Sequence, residues 1–364
     1  MTWTKTDLLI RDMAEPGKAS CIIGGQWGSE SKGSAAAWLA QEMMKRGCPP
    51  AFVTTNAGVQ SGHTSIHKDK RRVSFHMPTA PWIMQDEGYL PTVYLNAGSI
   101  IDPDVFLEEA KNYEGPIYVH PMAAIITDEC REAENRKDSA QTKIASTRKG
   151  VGEALARKIA RSGTVAKDCP QLADFIRRID LNWELRNEKS VLVEVPQGVS
   201  LSLNHSQFYP YCTSRDITPA NALADAGTHP LYVGAVLVVL RTFPIRVGNI
   251  VENGETLGQS GAFYPGQKEL TWEELGQDRE ITTVTKRVRR VFTWSTQQLR
   301  ETFALCRPDT VFLTFCNYLK HQEQLDMIES DIYGVSKELY MPPPRIIYEF
   351  GPSTADVGEK YDVT

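Results

Sequence analysis

Short runs of β-branched and aliphatic residues recur along the chain, each closed by Gly, Pro or Asn, with helix-favouring stretches between them. SCIIGG (20–25) has the pattern of a buried strand. Gly33 to Arg46 is Ala-rich and helix-favouring, with Gly47 placed to end it at C′. PPAFVTTNAG and VSFHMP predict strands flanking a turn at HKDKRR, PTVYLNAG (91–98) predicts another, and PDVFLEEAKNY predicts a helix. GPIYVHPMAAIITD resumes extended structure, and a long helical stretch follows: VGEALARKIARSG, then QLADFIRRIDLNWELRN after Pro170. VLVEVPQG, AVLVVLRTFPIRVG, TVFLTFCNYL and PRIIYEFG supply the remaining strands. Strands alternating with helices predict an α/β protein with a central, mostly parallel sheet flanked by helices, whose ligands sit beyond the carboxyl ends of the strands. No linker, repeat or low-complexity tract divides the chain. The expectation is an N-terminal arm over 1–19 and one large domain over 20–364 with surface insertions.

Composition narrows the function. The 364 residues carry 40 Lys plus Arg against 45 Asp plus Glu, a net charge of −5, which argues against generic duplex binding through many phosphate contacts. The run LYVGAVLVVL (231–240) is about half the ~20 residues that span a bilayer and reads as a buried strand. The opening MTWTKTDLLIRDMAEPGK lacks the apolar stretch and cleavage site of a secretory signal, so a cytoplasmic protein is expected. The seven cysteines contain no C-x-x-C pair, which supports neither a disulfide framework nor a thiolate zinc site.

Several segments can carry chemistry. GQWGSESKGS (25–34) follows a strand and opens a helix, where backbone amides and the positive helix end can cradle a phosphate within reach of Lys32. It is not a Walker A sequence, because the lysine precedes Gly33, and taken alone it is equally an ordinary tight turn. In QSGHTSIH (60–67), Gly62 can expose a carbonyl and His63 can act as an acid near neutral pH. His63 and His67 share no helical face, which argues against zinc. IASTRKGVGEALARKIAR (144–161) sets Thr147 before a helix whose Arg157, Lys158 and Arg161 are, in isolation, a solvated charged face. VEVPQG ends a strand in Gln197 and Gly198. In TTVTKRVRRVFTW (282–294) strand alternation would place Arg287 and Arg289 together for capture of a carboxylate or phosphate; a nucleic-acid stripe through Lys286 to Arg290 is the rival reading. TFCNYLK and EFGPS each end a strand.

These segments, with STRKGVG, PQG, YPYCTS, RVGN, TKRVRRV and FGPS in the same order from about residue 20 to 353, resemble the adenylosuccinate synthetases. The resemblance implies a P-loop-related purine nucleotide synthetase fold, a homodimer, and a ligase that couples nucleoside triphosphate hydrolysis to joining aspartate to C6 of IMP. An amide-like oxygen at C6 leaves badly. The family therefore transfers a γ-phosphoryl group onto it and lets the aspartate amine displace phosphate, with charge stabilisation doing most of the work. By resemblance Ser29, Lys32, His63 and Gln197 are catalytic. Gln60, Ser61, Thr147, Gln197, Thr213, Val247, Thr285 and Arg287, with Ser29, hold the nucleoside monophosphate and aspartate, and Arg161 reaches the neighbouring subunit's nucleotide. Gly28, Glu30, Ser31, Lys32, Gly33, Ser34, Gly62, His63 and Thr64 take the donor phosphates, with Arg289, Phe315, Asn317, Gly351 and Pro352 around the donor. Ser29 and the Gly62 carbonyl would hold Mg²⁺.

Two departures change the expected substrates. The family places an aspartate after GQWG to take the purine N1 proton, and here that residue is Ser29. A hydroxyl is no base near neutral pH, but it is smaller and uncharged and leaves room for the 2-amino group of guanine. The substitution resembles the bacteriophage branch of the family that makes 2-aminodeoxyadenylosuccinate from dGMP and aspartate, towards 2,6-diaminopurine nucleotides, which would place the enzyme in a host cytoplasm. Base duty then falls to Glu30, a magnesium-bound hydroxide or the triphosphate. At the donor, TFCN stands where GTP users carry T-K-L-D. Loss of that carboxylate removes the charge-assisted reading of guanine, so ATP or dATP is expected, with Phe315 against adenine and Asn317 beside it. The rivals are an ordinary IMP and GTP enzyme and a nucleic-acid-binding protein.

Overall fold

The structure, a computed structural model described over residues 3–363, sets β1 (Ala19–Gly24) in the middle of a nine-stranded sheet. All six residues of β1 are buried, as a central parallel strand covered on both faces requires. From one edge the order is Val357–Gly358, Arg345–Glu349, Thr310–Thr314, Val233–Arg241, β1, Val191–Gly198, β2 (Phe52–Thr55), Thr92–Leu95 and Ile117–Val119. Every pairing is parallel except the outermost, Tyr348 with Gly358. The expected architecture is therefore the observed one. Register brings Gly24 level with Gly198 and Val239, so the Gly-rich segment leaves the sheet at the centre of its carboxyl edge.

Side chains alternate across β1, with Ile22 on one face and Cys21 and Ile23 on the other. Beneath Ile22 pack Ala35, Ala36 and Leu39 of α2 (Lys32–Lys45), which ends at Arg46 with Gly47 in the left-handed region. The segment expected as a polar arm lies against the same face as α1 (Lys5–Met13), its N-terminus closed by a Thr4–Asp7 capping box. Leu9, Ile10 and Met13 are fully buried there, each stabilising by about 1.5–3 kcal/mol. Polar spacing had hidden a three-residue apolar stripe.

Three other expectations change. The HKDKRR turn joins β3 (His63–His67) to β4 (Lys70–Ser74), not to β2, and residues 75–77 leave the strand because Glu109 accepts their three backbone N–H groups. The stretch after Pro170 is a 3₁₀ turn, Pro170–Phe175, then extended chain bridging Ile176 to Val119, then a short helix, Leu181–Arg186, capped by Asp180. Residues 282–289 are not a strand. Only Arg290–Phe292 is extended, so alternation does not pair Arg287 with Arg289. Among the described residues no helix is long and apolar enough to cross a membrane.

Candidate functional site

The cleft opens where the carboxyl ends of β1 and Val191–Gly198 meet, and the loop 25–33 forms one wall. Gly28, Ser29 and Ser31 have φ of 87°, 59° and 70°, which turns the loop back on itself before α2 begins. Gly33 is needed for close approach: a Cβ there would lie 2.6 Å from the Thr64 carbonyl oxygen of β3. This packing brings loop and hairpin together, so Ser29, Ser31, Lys32 and Gly33 face Gln60 to Thr64 across the cleft.

Within the loop, Glu30 is fully buried. Its Oε1 accepts the backbone N–H groups of Gln26 (3.0 Å) and Gly28 (2.7 Å), and Oε2 lies 2.7 Å from Lys32 Nζ. The expected phosphate cradle is therefore narrower than the sequence suggested, because these two amides are already bonded. Glu30 itself lies outside the cleft lining and is no free base. Lys32 lines the cleft and is only 5% exposed.

Beneath the loop, the Ser34 hydroxyl donates to Glu349, so Ser34 is not a cleft residue. Burial pushes Glu349 up from 4.5 to about 8, against the bonds from Ser34 and Ser31. Asp356 adds to the rise and Arg241 opposes it. A folded value above the unfolded one means that this contribution to stability is full below about pH 4.5 and falls as pH rises through about 8. The melting temperature is thus expected to decline across that window, and less so in Glu349→Gln. An equal decline in both proteins would assign the effect to another group.

On β3, His63 Nδ1 lies 3.3 Å from Oε1 of Glu194, which is fully buried and also bonded by the backbone N–H and hydroxyl of Thr79 at 2.9 and 3.0 Å. Facing this acceptor, the tautomer with the proton on Nδ1 is the favourable one, and it leaves Nε2 for the cleft. Glu194 was missed in the sequence. Its signal was a charge inside the apolar run VLVEV. Glu134 was missed too: it accepts N–H groups of Gly150 (2.7 Å) and Glu153 (3.1 Å), so the helix Val151–Ile159 already has a carboxylate at its N-terminus, beside Thr147.

Gln197 has φ 66°, and its Oε1 accepts from the Thr213 hydroxyl at 2.9 Å. Both lie in the cleft lining with Ser61, Gly62, Thr64, Val247 and Thr285. Gln60 lines the cleft with its amide oxygen and nitrogen both buried and without a protein partner, which suits them to bonding a ligand.

The arginines divide differently from expectation. Arg287 donates to the carbonyls of Gly248, Ala145 and Ser146 at 2.8–3.0 Å, which buttresses the turn before Thr147; it is outside the lining. Burial and then Arg148 push it down to about 10. Arg289 is in the cleft, 2.5 Å from Ser29 Oγ and 3.8 Å from Glu280, and burial brings it to about 10 with Glu280 offsetting. Arg290 pairs with Glu269 at 2.6 Å, which leaves Lys286 as the exposed cation of the four and removes the basis for a nucleic-acid stripe. Arg241, also unforeseen, is fully buried, bonds Glu280 at 2.6 and 3.2 Å, and stacks 3.7 Å over Phe315. Burial alone would raise Glu280, but Arg241 holds it below the usual value. One face of Phe315 is therefore covered by a guanidinium, and the Tyr318 ring packs against it at 5.1 Å, so little of the ring is left for a base to stack on. Asn317 is exposed on the 3₁₀ turn Cys316–Tyr318, because Phe315 takes a left-handed φ of 58°; with Gly351, Pro352 and Arg161 it lies outside the cleft lining.

Sheet, loop and cleft together define an α/β protein with a polar cleft at the carboxyl edge of a mostly parallel sheet. The chain belongs to the adenylosuccinate synthetase family, whose profile matches residues 21–188 and 179–344. It is 36% identical to the N6-succino-2-amino-2'-deoxyadenylate synthase of Vibrio phage phiVC8, over 94% of this chain and 98% of that one. It is 30% identical to the adenylosuccinate synthetase of Pyrococcus horikoshii, over 90% and 89%. A solved structure of the cyanophage S-2L succinoaminodeoxyadenylate synthetase, bound to dGMP and dATP as an energy donor, superposes with a TM-score of 0.80 at 32% identity, covering 94% of this chain and 95% of that one.

Proposed function

We propose that the protein is a carbon–nitrogen ligase joining L-aspartate to C6 of dGMP through a 6-phosphoryl intermediate, driven by ATP or dATP. The observation that carries the reading is Ser29, an uncharged residue exposed in the cleft where the family is expected to place an aspartate. The substrates in the names of the phage relatives support it. In this reading Gln60, Gln197, Thr213 and Thr147 hold the monophosphate, Lys32 and Arg289 neutralise charge on the transferring phosphoryl group, and Glu194 aims His63 Nε2 at the bridging oxygen. Arg287 and Ser34 are positioning residues, and Arg161 serves the neighbouring subunit's nucleotide in a homodimer working in an infected host's cytoplasm.

Mg²⁺ binds through one or two protein oxygens, substrate phosphates and water, and when bound it neutralises β- and γ-phosphate charge. Gly62 lines the cleft, and its carbonyl is an oxygen of the kind that demand requires. Ser29 fits it less well, because the Arg289 guanidinium on its Oγ would set a second positive charge against the ion.

Phosphate release with aspartate and each pairing of dGMP or IMP with dATP, ATP or GTP tests the assignment. dGMP with an adenine donor should be fastest; preference for IMP with GTP would return the chain to ordinary adenylosuccinate synthesis. Ser29→Asp should lower dGMP turnover by about 10- to 200-fold, the cost of a misfit group in a specificity pocket. Unchanged turnover would remove the argument from space.

A further inference from the structure

A serine hydroxyl has one hydrogen and two lone pairs, whereas a guanidinium only donates. The 2.5 Å contact from Arg289 Nη1 to Ser29 Oγ therefore uses an oxygen lone pair and leaves the hydroxyl hydrogen for another acceptor. The side chain is exposed in the cleft, so a bound ligand can supply that acceptor. Arg289 is itself fixed. Its backbone N–H donates to the Glu280 carbonyl at 2.8 Å, and its guanidinium lies 3.8 Å from a Glu280 carboxylate that Arg241 and the Tyr318 hydroxyl hold at 2.6 and 3.2 Å. Arg241 also donates to the Ser29 carbonyl at 3.3 Å. Two arginines thus grip Ser29 at backbone and side chain.

We propose that Ser29 is a donor to purine N1 of the 6-phosphoryl intermediate, and that Arg289 makes it one. The inference rests on the dGMP reading. Guanine carries a hydrogen on N1, so before reaction Ser29 can meet it only through its remaining lone pair, which the Arg289 guanidinium on the same oxygen makes a poorer acceptor, while the same contact makes the hydroxyl a better donor. As O6 attacks, the O6–P bond forms and the bond from phosphorus to the β,γ-bridging oxygen breaks, its electron pair leaving with the nucleoside diphosphate. N1 gives its proton to water in the open cleft and keeps a lone pair. Ser29 then donates to that lone pair and retains its own proton throughout. A bond stronger with the intermediate than with the ground state lowers the barrier with little tightening of substrate binding. The loss of the family's aspartate is thereby a change of role, from acceptor of the N1 proton to stabiliser of the base that has lost it.

The test uses the monophosphate of 2-aminopurine deoxyriboside, a fluorescent nucleotide with the 2-amino group of dGMP but a bare N1. Ser29→Ala removes the hydroxyl, and Ser29→Gly removes it with a residue suited to the φ of 59°. Both should weaken the 2-aminopurine nucleotide about tenfold, the weight of one hydrogen bond, and change dGMP affinity by less than about twofold. Turnover of dGMP should fall about tenfold in kcat at constant KM, and Ser29→Thr should restore it. Equal weakening of both nucleotides, or a loss confined to KM, would overturn the proposal. Failure of the unaltered protein to bind either nucleotide would instead sink the dGMP reading beneath it.

Discussion

His63→Asn is expected to lower phosphate release from dGMP, aspartate and dATP by about 10²–10⁴-fold, the range for removing a positioned acid or base, with dGMP affinity nearly unchanged. The ring sits on β3 with Nδ1 3.3 Å from a fully buried carboxylate, which favours one tautomer and one orientation before any ligand arrives. Asparagine keeps a polar group at Glu194 but has no ionisable nitrogen to place in the cleft. Glu194→Gln should act more weakly and differently. It leaves His63 in place but replaces an acceptor-only partner with one that can also donate, so the pH profile of kcat should move while KM stays. Full activity in His63→Asn would mean that charge neutralisation alone carries the bridging oxygen.

Lys32→Ala is expected to damage folding and chemistry by separable routes. Lys32 and Glu30 form a pair at 2.7 Å with 5% and 0% of their side chains exposed, and removing one member of such a pair costs on the order of 3–5 kcal/mol because the remaining charge is buried without compensation. The lost cation should also cost about 10²–10³-fold in turnover, as for one preorganised group at a developing charge. Adding Glu30→Gln makes the residual group neutral, so the double variant should recover much of the melting temperature and none of the turnover. Recovery of turnover would show that the ammonium serves only to brace the loop.

The pieces of the site that lie close together in sequence were legible, and their partners were not. GQWGSESKG could be read as a turn at a helix start and SGHT as a segment bearing an acid, because the preceding strand, the glycines and the lysine are local signals; that His63 opens a strand paired with Lys70–Ser74 was not read. Glu194 and Arg241 come from segments far from His63 and Ser29, and even Glu134 and Glu280, nearer in sequence to Gly150 and Arg289, look like ordinary charges until the fold sets them against these partners. Arg287 and Arg289 were expected to act as a pair, because alternation assumes a strand. Hydrogen bonding of Arg287 to three carbonyls across two other segments decided otherwise.

By itself the sequence determined the layered architecture, the place of the phosphate-loop segment after β1, and the neutral residue at position 29. Each is set by periodicity, by glycine's freedom at a turn, or by side-chain identity, and none needs a distant partner. Only the tertiary structure decided which charges are spent and which are free. Burial makes an unpaired ion costly, so Glu30 claims Lys32 and two loop amides, while Glu280 and Arg241 fix Arg289 against Ser29. Such pairings depend on distances of a few ångströms between residues as much as 260 positions apart, which no local pattern encodes.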